Sequence, residues 1–172
     1  MKLYGNMPLI EPLEYREASK IHDLVIAIDT SGSCQGKIVK SFLNKTYTIM
    51  KTAGAFFSNM NVHIIQCDSK IQSDDKITSM IEFDSYIRNL KIRGYGGTDF
   101  RPVFEMIDRY IAQKEFNDLR GLIYFTDGLG TYPGIVPHYP VAFVLIEDEK
   151  EKPKVPAWAI KMVTTVEEFD RR

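Results

Sequence analysis

Leu24-Val25-Ile26-Ala27-Ile28-Asp29-Thr30-Ser31-Gly32-Ser33 is the stretch from which the rest of this 172-residue chain can be read. Five apolar residues in a row, with no polar alternation, suit a strand covered on both faces rather than one with a wet side. The abrupt change to a carboxylate, hydroxyls and glycine ends that strand and opens a loop. The same alternation of segment types continues downstream. Ile38, Phe42, Ile49, Ala53 and Phe57 recur at helical spacing and predict a long amphipathic helix over about 37–57. Val62 to Cys67 reads as a second buried strand, and 70–77 turns back beside it as an edge hairpin. A short helix is expected over 82–90. Phe104, Ile107 and Ile111 mark another from about Phe100, with Pro102 tolerated because a first-turn N–H has no intrahelical acceptor. Strands at 121–125, 141–146 and 159–163 complete the series. Strand and helix in alternation imply an α/β, Rossmann-like domain: a mostly parallel central sheet with helices on both faces.

Upstream, residues 1–20 carry two prolines and hold no period of 2 or 3.6, so they read as an arm or linker and the domain as 21–172. An arm without a fold of its own is compatible with a chain cut from a longer protein, in which Met1 is not the natural start. The lysine and glutamate cluster at 147–154 reads as a solvated loop. With 22 Lys plus Arg against 23 Asp plus Glu the net charge is −1, too little to draw the chain to nucleic acid or anionic lipid. The longest apolar runs fall far short of the roughly 20 residues of a membrane-spanning helix. Two cysteines and no secretion signal fit a reducing cytoplasm.

In open parallel sheets the ligand crevice lies beyond the carboxyl ends of the strands, so the residues just after each apolar run carry the information. Asp29-Thr30-Ser31-Gly32-Ser33, Gly96-Gly97-Thr98-Asp99 and Thr126-Asp127-Gly128 each combine oxygen donors with glycine. Hard divalent cations take such carboxylate and hydroxyl oxygens from several directions. The three loops together make a candidate Mg²⁺ site. Taken singly, each also suits a turn or a helix cap.

These strings resemble the von Willebrand factor A-like fold with its metal-ion-dependent adhesion site (MIDAS), over about residues 23–165. The resemblance implies that Ser31 and Ser33 bind the metal directly, that Thr98 binds directly or through water, and that Asp29 and Asp127 complete the shell, often through water. It implies Mg²⁺, with Mn²⁺ or Ca²⁺ as alternatives. GGTDFRPVF (96–104) and YFTDG (124–128) are similar to the intracellular bacterial and phage branch of that family, often joined to metallopeptidase-like domains and encoded beside MoxR-type AAA+ ATPases. No HExxH helix accompanies them here.

The remaining reactive residues read as structural. His22, His63 and His138 lack the close pairing of a zinc site, and His63 falls inside a strand. Cys34 reads as a packed thiol, Cys67 as core and Trp158 as a buried anchor. Three of the five candidate ligands are neutral hydroxyls, so a bound cation stays under-neutralised and accepts one more carboxylate; the resemblance implies that a partner protein's Asp or Glu supplies it. Thr98, Asp99 and the 128–134 loop would then form the docking surface. The expected function is a metal-dependent protein-interaction module, not an enzyme, in a AAA+ ATPase-linked assembly. Two alternatives stand beside it. A Mg²⁺-dependent phosphohydrolase of the haloacid-dehalogenase kind needs a second carboxylate where Ser31 stands, and a scaffold domain would leave the metal site idle.

Overall fold

The computed structural model describes residues 23–32, 36–52, 60–146, 152–165 and 168. The arm at 1–20, Ser33, Cys34, the end of the first helix at 53–57 and most of the 147–154 loop lie outside the described residues. Six strands form one sheet: β1 (Asp23–Asp29), β2 (Asn61–Cys67), β3 (Ile71–Ile77), β4 (Leu119–Thr126), β5 (Val141–Ile146) and β6 (Ile160–Thr164), in the order β3-β2-β1-β4-β5-β6. All neighbours pair parallel except β2 and β3, the expected hairpin at the edge. Among the described residues the helices are α1 (Gly36–Thr52), α2 (Met80–Arg88) and α3 (Arg101–Ala112). No helix among the described residues is long and apolar enough to cross a membrane.

The apolar run of β1 is buried along its whole length and divides its side chains between two cores. Leu24, Ile26 and Ile28 meet Val39, Phe42 and Leu43 of α1 and Phe83 and Ile87 of α2. Val25 and Ala27 join Val103, Phe104 and Ile107 of α3 with Tyr124 and Phe143. Helices therefore cover both faces. At β1 the chain turns one way to β2 and later returns on the other side as β4, which places the topological switch point between β1 and β4.

Two helix faces differ from the expected stripes. On α1, Ile49 is 68% exposed and Met50 faces the core, so the buried set is Val39, Phe42, Leu43 and Met50. At 3.6 residues per turn Met50 lies two turns beyond Leu43, whereas Ile49 is rotated outward. On α3, Ile111 is 43% exposed, and the last turn presents Tyr110 instead, packed against His63 and Phe116. Pro102 sits in the first turn of α3 as expected. Trp158 is only half-buried, its ring edge-on to Phe104 at a centroid distance of 6.0 Å.

His63 points from β2 toward α3 and is walled in by acids. Its Nδ1 lies 2.9 Å from Asp74 Oδ1 on β3, and its Nε2 lies 3.2 Å from Glu115 Oε1 in the α3–β4 connection. The Tyr110 hydroxyl of α3 donates to Asp74, and Lys76 of β3 pairs with Glu115. Burial alone would lower the imidazole pKa, but the bonds and charges of Asp74 and Glu115 outweigh it and raise the value above 6.5. A cation favoured by the fold stabilises it below the unfolded pKa, and that contribution fades as pH rises through the folded value. Urea unfolding from about pH 6 to about pH 9 should show stability falling with pH above 6.5, by at most about 1.4 kcal/mol per pH unit for one proton. His63→Gln should flatten that slope. An unchanged slope in the variant would mean that other groups carry it.

Candidate metal centre

Asp29, the last residue of β1, is completely buried, and both of its oxygens accept hydrogen bonds. Oδ1 takes the Ser31 N–H at 2.8 Å, and Oδ2 takes the Thr126 hydroxyl at 2.5 Å from the end of β4. Thr126 Oγ1 in turn accepts the Gly128 N–H at 3.0 Å. One chain of bonds thus runs from the loop after β4, through Thr126 and Asp29, into the loop after β1. Burial is the main force raising the Asp29 pKa, with the charge of Asp127 adding to it; the bonds from Thr126 and from Ser31's backbone and side chain oppose the rise. The two carboxylates are therefore close enough to repel. Asp127 Oδ1 accepts the Leu129 N–H at 2.9 Å, which shapes the turn at Gly128. Gly128 has φ +83°, and a Cβ there would lie 2.7 Å from Pro153, so both backbone and space require glycine.

The segment 91–100 crosses the carboxyl ends of β2 and β1 without regular structure, held by side chains that take the place of a ladder. Gln66 on β2 donates to Lys91 O at 3.0 Å and accepts the Arg93 N–H at 2.8 Å. Asp68, just past β2, accepts N–H groups from Lys70 and Gly96, each at 3.0 Å, and the Gln72 side chain at 2.9 Å. Burial pushes the Asp68 pKa up, but these bonds outweigh it and hold the carboxyl below its ordinary value. The Tyr95 N–H reaches Thr30 O at 2.9 Å and the Phe100 N–H reaches Thr131 O at 3.0 Å, lacing the segment to both neighbouring loops. Gly94 turns at φ +124°, where a Cβ would lie 2.6 Å from Thr30 Oγ1.

Asp29, Ser31 and Asp127 thus meet at the switch point. Thr98 lies on the middle loop against the loop after β4: a Cβ on Gly130 would come within 2.7 Å of Thr98 Cγ2. Ser33 lies outside the described residues. Asp99 does not offer an open carboxylate, because Arg101 grips it with Nε at 2.9 Å and Nη2 at 2.7 Å and holds its pKa low. The donor set is carboxylate and hydroxyl oxygen throughout, which fits a hard cation. Among the described residues no group of three or more His, Cys, Asp or Glu is placed to hold a metal. Gln66 and Asp68 were not singled out from sequence, and Thr126 was named only as part of its loop. Asp68 follows an apolar run as the other candidates do, which is the signal that could have found it.

Two further groups fall out of the chemistry. Cys67 is buried and its thiol pKa is pushed up to about 12, chiefly by burial, so it is core rather than nucleophile. His63 faces away from the crevice, among its acidic partners.

A parallel sheet with helices on both faces and a crevice of oxygen donors at its switch point defines an α/β domain of the von Willebrand A-like class. The chain belongs to the family described as VWA-like domain (DUF2201), whose profile matches residues 24–165. A search of the curated proteins finds no match. Among solved structures it is similar to proximal thread matrix protein 1 of the mussel byssus (TM-score 0.62, 14% identity), over 88% of this chain and 45% of that one. A second structure of the mussel protein has a zinc-occupied MIDAS motif (TM-score 0.55, 16% identity, 76% of this chain and 39% of that one). The chain thus spans less than half of the mussel protein. It is also similar to the conserved hypothetical protein BatB from Bacteroides thetaiotaomicron (TM-score 0.54, 14% identity, 84% of this chain and 90% of that one). At these identities the likeness is one of fold.

The bond chain through Asp29 carries a stability prediction. Thr126→Val keeps the shape but removes the donor to Asp29 and the acceptor for Gly128, leaving two buried groups unmatched. Denaturant melts should show a loss of about 1–3 kcal/mol. A variant as stable as the parent would show that the Thr126–Asp29 bond contributes nothing net.

Proposed function

We propose that the crevice at the carboxyl ends of β1 and β4 holds a divalent cation and through it binds an Asp or Glu of a partner protein. Asp29, Ser31, Ser33, Thr98 and Asp127 are the ligands in this reading, Mg²⁺ is the metal, and Mn²⁺ or Ca²⁺ can replace it. The observation that carries the reading is the bond chain Gly128–Thr126–Asp29–Ser31, which spends a buried carboxylate on orienting a serine beside a second carboxylate. Each Asp29 oxygen accepts one protein donor and keeps a second lone pair, so in this reading the residue holds Ser31 in place and completes the shell through water. The metal supplies a centre of positive charge that the hydroxyls do not neutralise. An incoming carboxylate completes it.

What surrounds the site supports binding over catalysis in this reading. Ser31 stands where a phosphohydrolase needs an acid/base carboxylate, and the Cys67 thiol stays protonated. The zinc-occupied motif of the mussel protein is in keeping with a metal at this place in the fold. The strings GGTDFRPVF and YFTDG favour a MoxR-type AAA+ ATPase as partner, in a cytoplasmic assembly.

Calorimetry with Mn²⁺ should give micromolar to millimolar affinity, lost in Asp29→Ala and in the surface-preserving Ser31→Ala. Unchanged binding in both variants would remove these residues from the site. In pull-downs, EDTA and Thr98→Ala should each weaken capture of the ATPase. Capture that survives both would place the interface elsewhere. The chain should release no phosphate from nucleotides or phosphoesters; Mg²⁺-dependent release that vanishes in Asp29→Asn would overturn the binding reading.

A further inference from the structure

Gly130, in the loop after β4, is a glycine for reasons of space. Its φ lies outside the left-handed region that Gly94, Gly121 and Gly128 occupy, so the backbone itself does not demand glycine. A Cβ would not fit: it would fall 2.7 Å from Thr98 Cγ2 and 2.9 Å from both Cε2 and Cζ of Phe100. These neighbours flank Asp99, whose own carboxylate turns to Arg101. The next residue pins the same segment, since Asp99 bridges to Thr131 and the Phe100 N–H donates to Thr131 O at 3.0 Å. The Tyr132 hydroxyl then donates to Gly128 O at 2.8 Å, and its ring lies 4.8 Å from the completely buried ring of Phe100. Gly130 is therefore held in place over the two side chains it meets.

Thr98 carries a methyl and a hydroxyl on one carbon. The methyl is the group that lies against Gly130, and the hydroxyl forms no hydrogen bond among the described residues. A β-branched side chain is stiff at χ1, so packing that fixes the methyl also fixes the direction of the hydroxyl.

We propose that Gly130 is a positioning residue for the cation site: the notch left by its missing side chain seats the Thr98 methyl and so locks the Thr98 hydroxyl in one direction. The inference rests on the reading of Thr98 as a ligand. A hydroxyl turning freely among three staggered wells would be correctly aimed only about a third of the time, and seating the methyl recovers that factor before the metal arrives. Threonine and serine are thereby unequal at position 98. Serine keeps the ligand atom and loses the handle that aims it.

The lock is read by NMR in the 172-residue chain without metal. Three-bond couplings of Thr98 Cγ2 to the backbone nitrogen and carbonyl carbon should report a single χ1 rotamer, with NOEs between that methyl and the Gly130 Hα atoms. Calorimetry with Mn²⁺ then compares variants. Thr98→Ser should bind about threefold more weakly although its hydroxyl remains. Gly130→Ala should lose more than that. Combined with Thr98→Ser it should bind more tightly than Gly130→Ala alone, because serine has no methyl to be expelled, while the contact with Phe100 is common to both. If Gly130→Ala does not fold, the couplings and Thr98→Ser decide. With Mn²⁺ binding abolished by Asp29→Ala, three results would each overturn the proposal: couplings averaged over rotamers, parent affinity in Thr98→Ser, or a double variant no tighter than Gly130→Ala. Mn²⁺ binding unchanged in Asp29→Ala would overturn it by another route, removing the site to which Thr98 is assigned while the rotamer lock stands.

Discussion

A carboxylate buried at the end of the central strand must find donors for both oxygens or pull the strand end toward water. Asp29 finds them in two places that are remote in sequence: the backbone of its own loop and the hydroxyl of Thr126, 97 residues further on. Meeting that demand aligns the ends of β1 and β4 at the switch point of the sheet and brings the two flanking loops to one spot. The buried side chains of β1 set the depth of the same spot. Because they fill both cores, the strand has no freedom to slide without exposing one apolar set or the other.

The middle loop depends on this arrangement more than it contributes to it. Residues 91–100 have no strand to pair with, and Gln66 and Asp68 stand in for one by presenting acceptors to backbone N–H groups as the chain passes. Phe100 then anchors the far end, with its ring 5.0 Å from Tyr124 and 4.8 Å from Tyr132. Thr98 is therefore carried between two fixed points, and the segment is irregular without being loose. In the proposed reading, a Thr98 held this way before any ligand arrives would lower the ordering cost of binding.

The buried polar groups divide into two sets with different uses. Asp74, Tyr110 and Glu115 close around His63 and satisfy one another, which ties the edge strand β3 to α3. Asp29, Asp127 and Ser31 gather like charges and neutral hydroxyls at an open end of the sheet. The first set ties elements together within the fold, whereas the second gathers oxygen donors at an open end of the sheet. The proposed role in partner binding rests on that placement.

Much of this was legible in the order of residues. An unbroken apolar run such as LVIAI suits a strand covered on both sides, and its repetition between helical stripes implies a parallel sheet whatever the details. Loops after such runs fall at one end of the sheet, so Asp29 and Asp127 could be named together from position alone, whereas Thr98, in the connection between α2 and α3, was named from its Gly-Gly-Thr-Asp string. The orientation of each helix was less determined: on α1 a wide stripe admits Ile49 or Met50, and only contact with the sheet selects Met50. The roles of Thr126, Gln66 and Asp68, the capture of Asp99 by Arg101 and the contact of the Thr98 methyl with Gly130 were set by the tertiary structure alone. A side chain's hydrogen-bond partner depends on which backbone passes within 3 Å of it, and chain folding over tens of residues decides that distance.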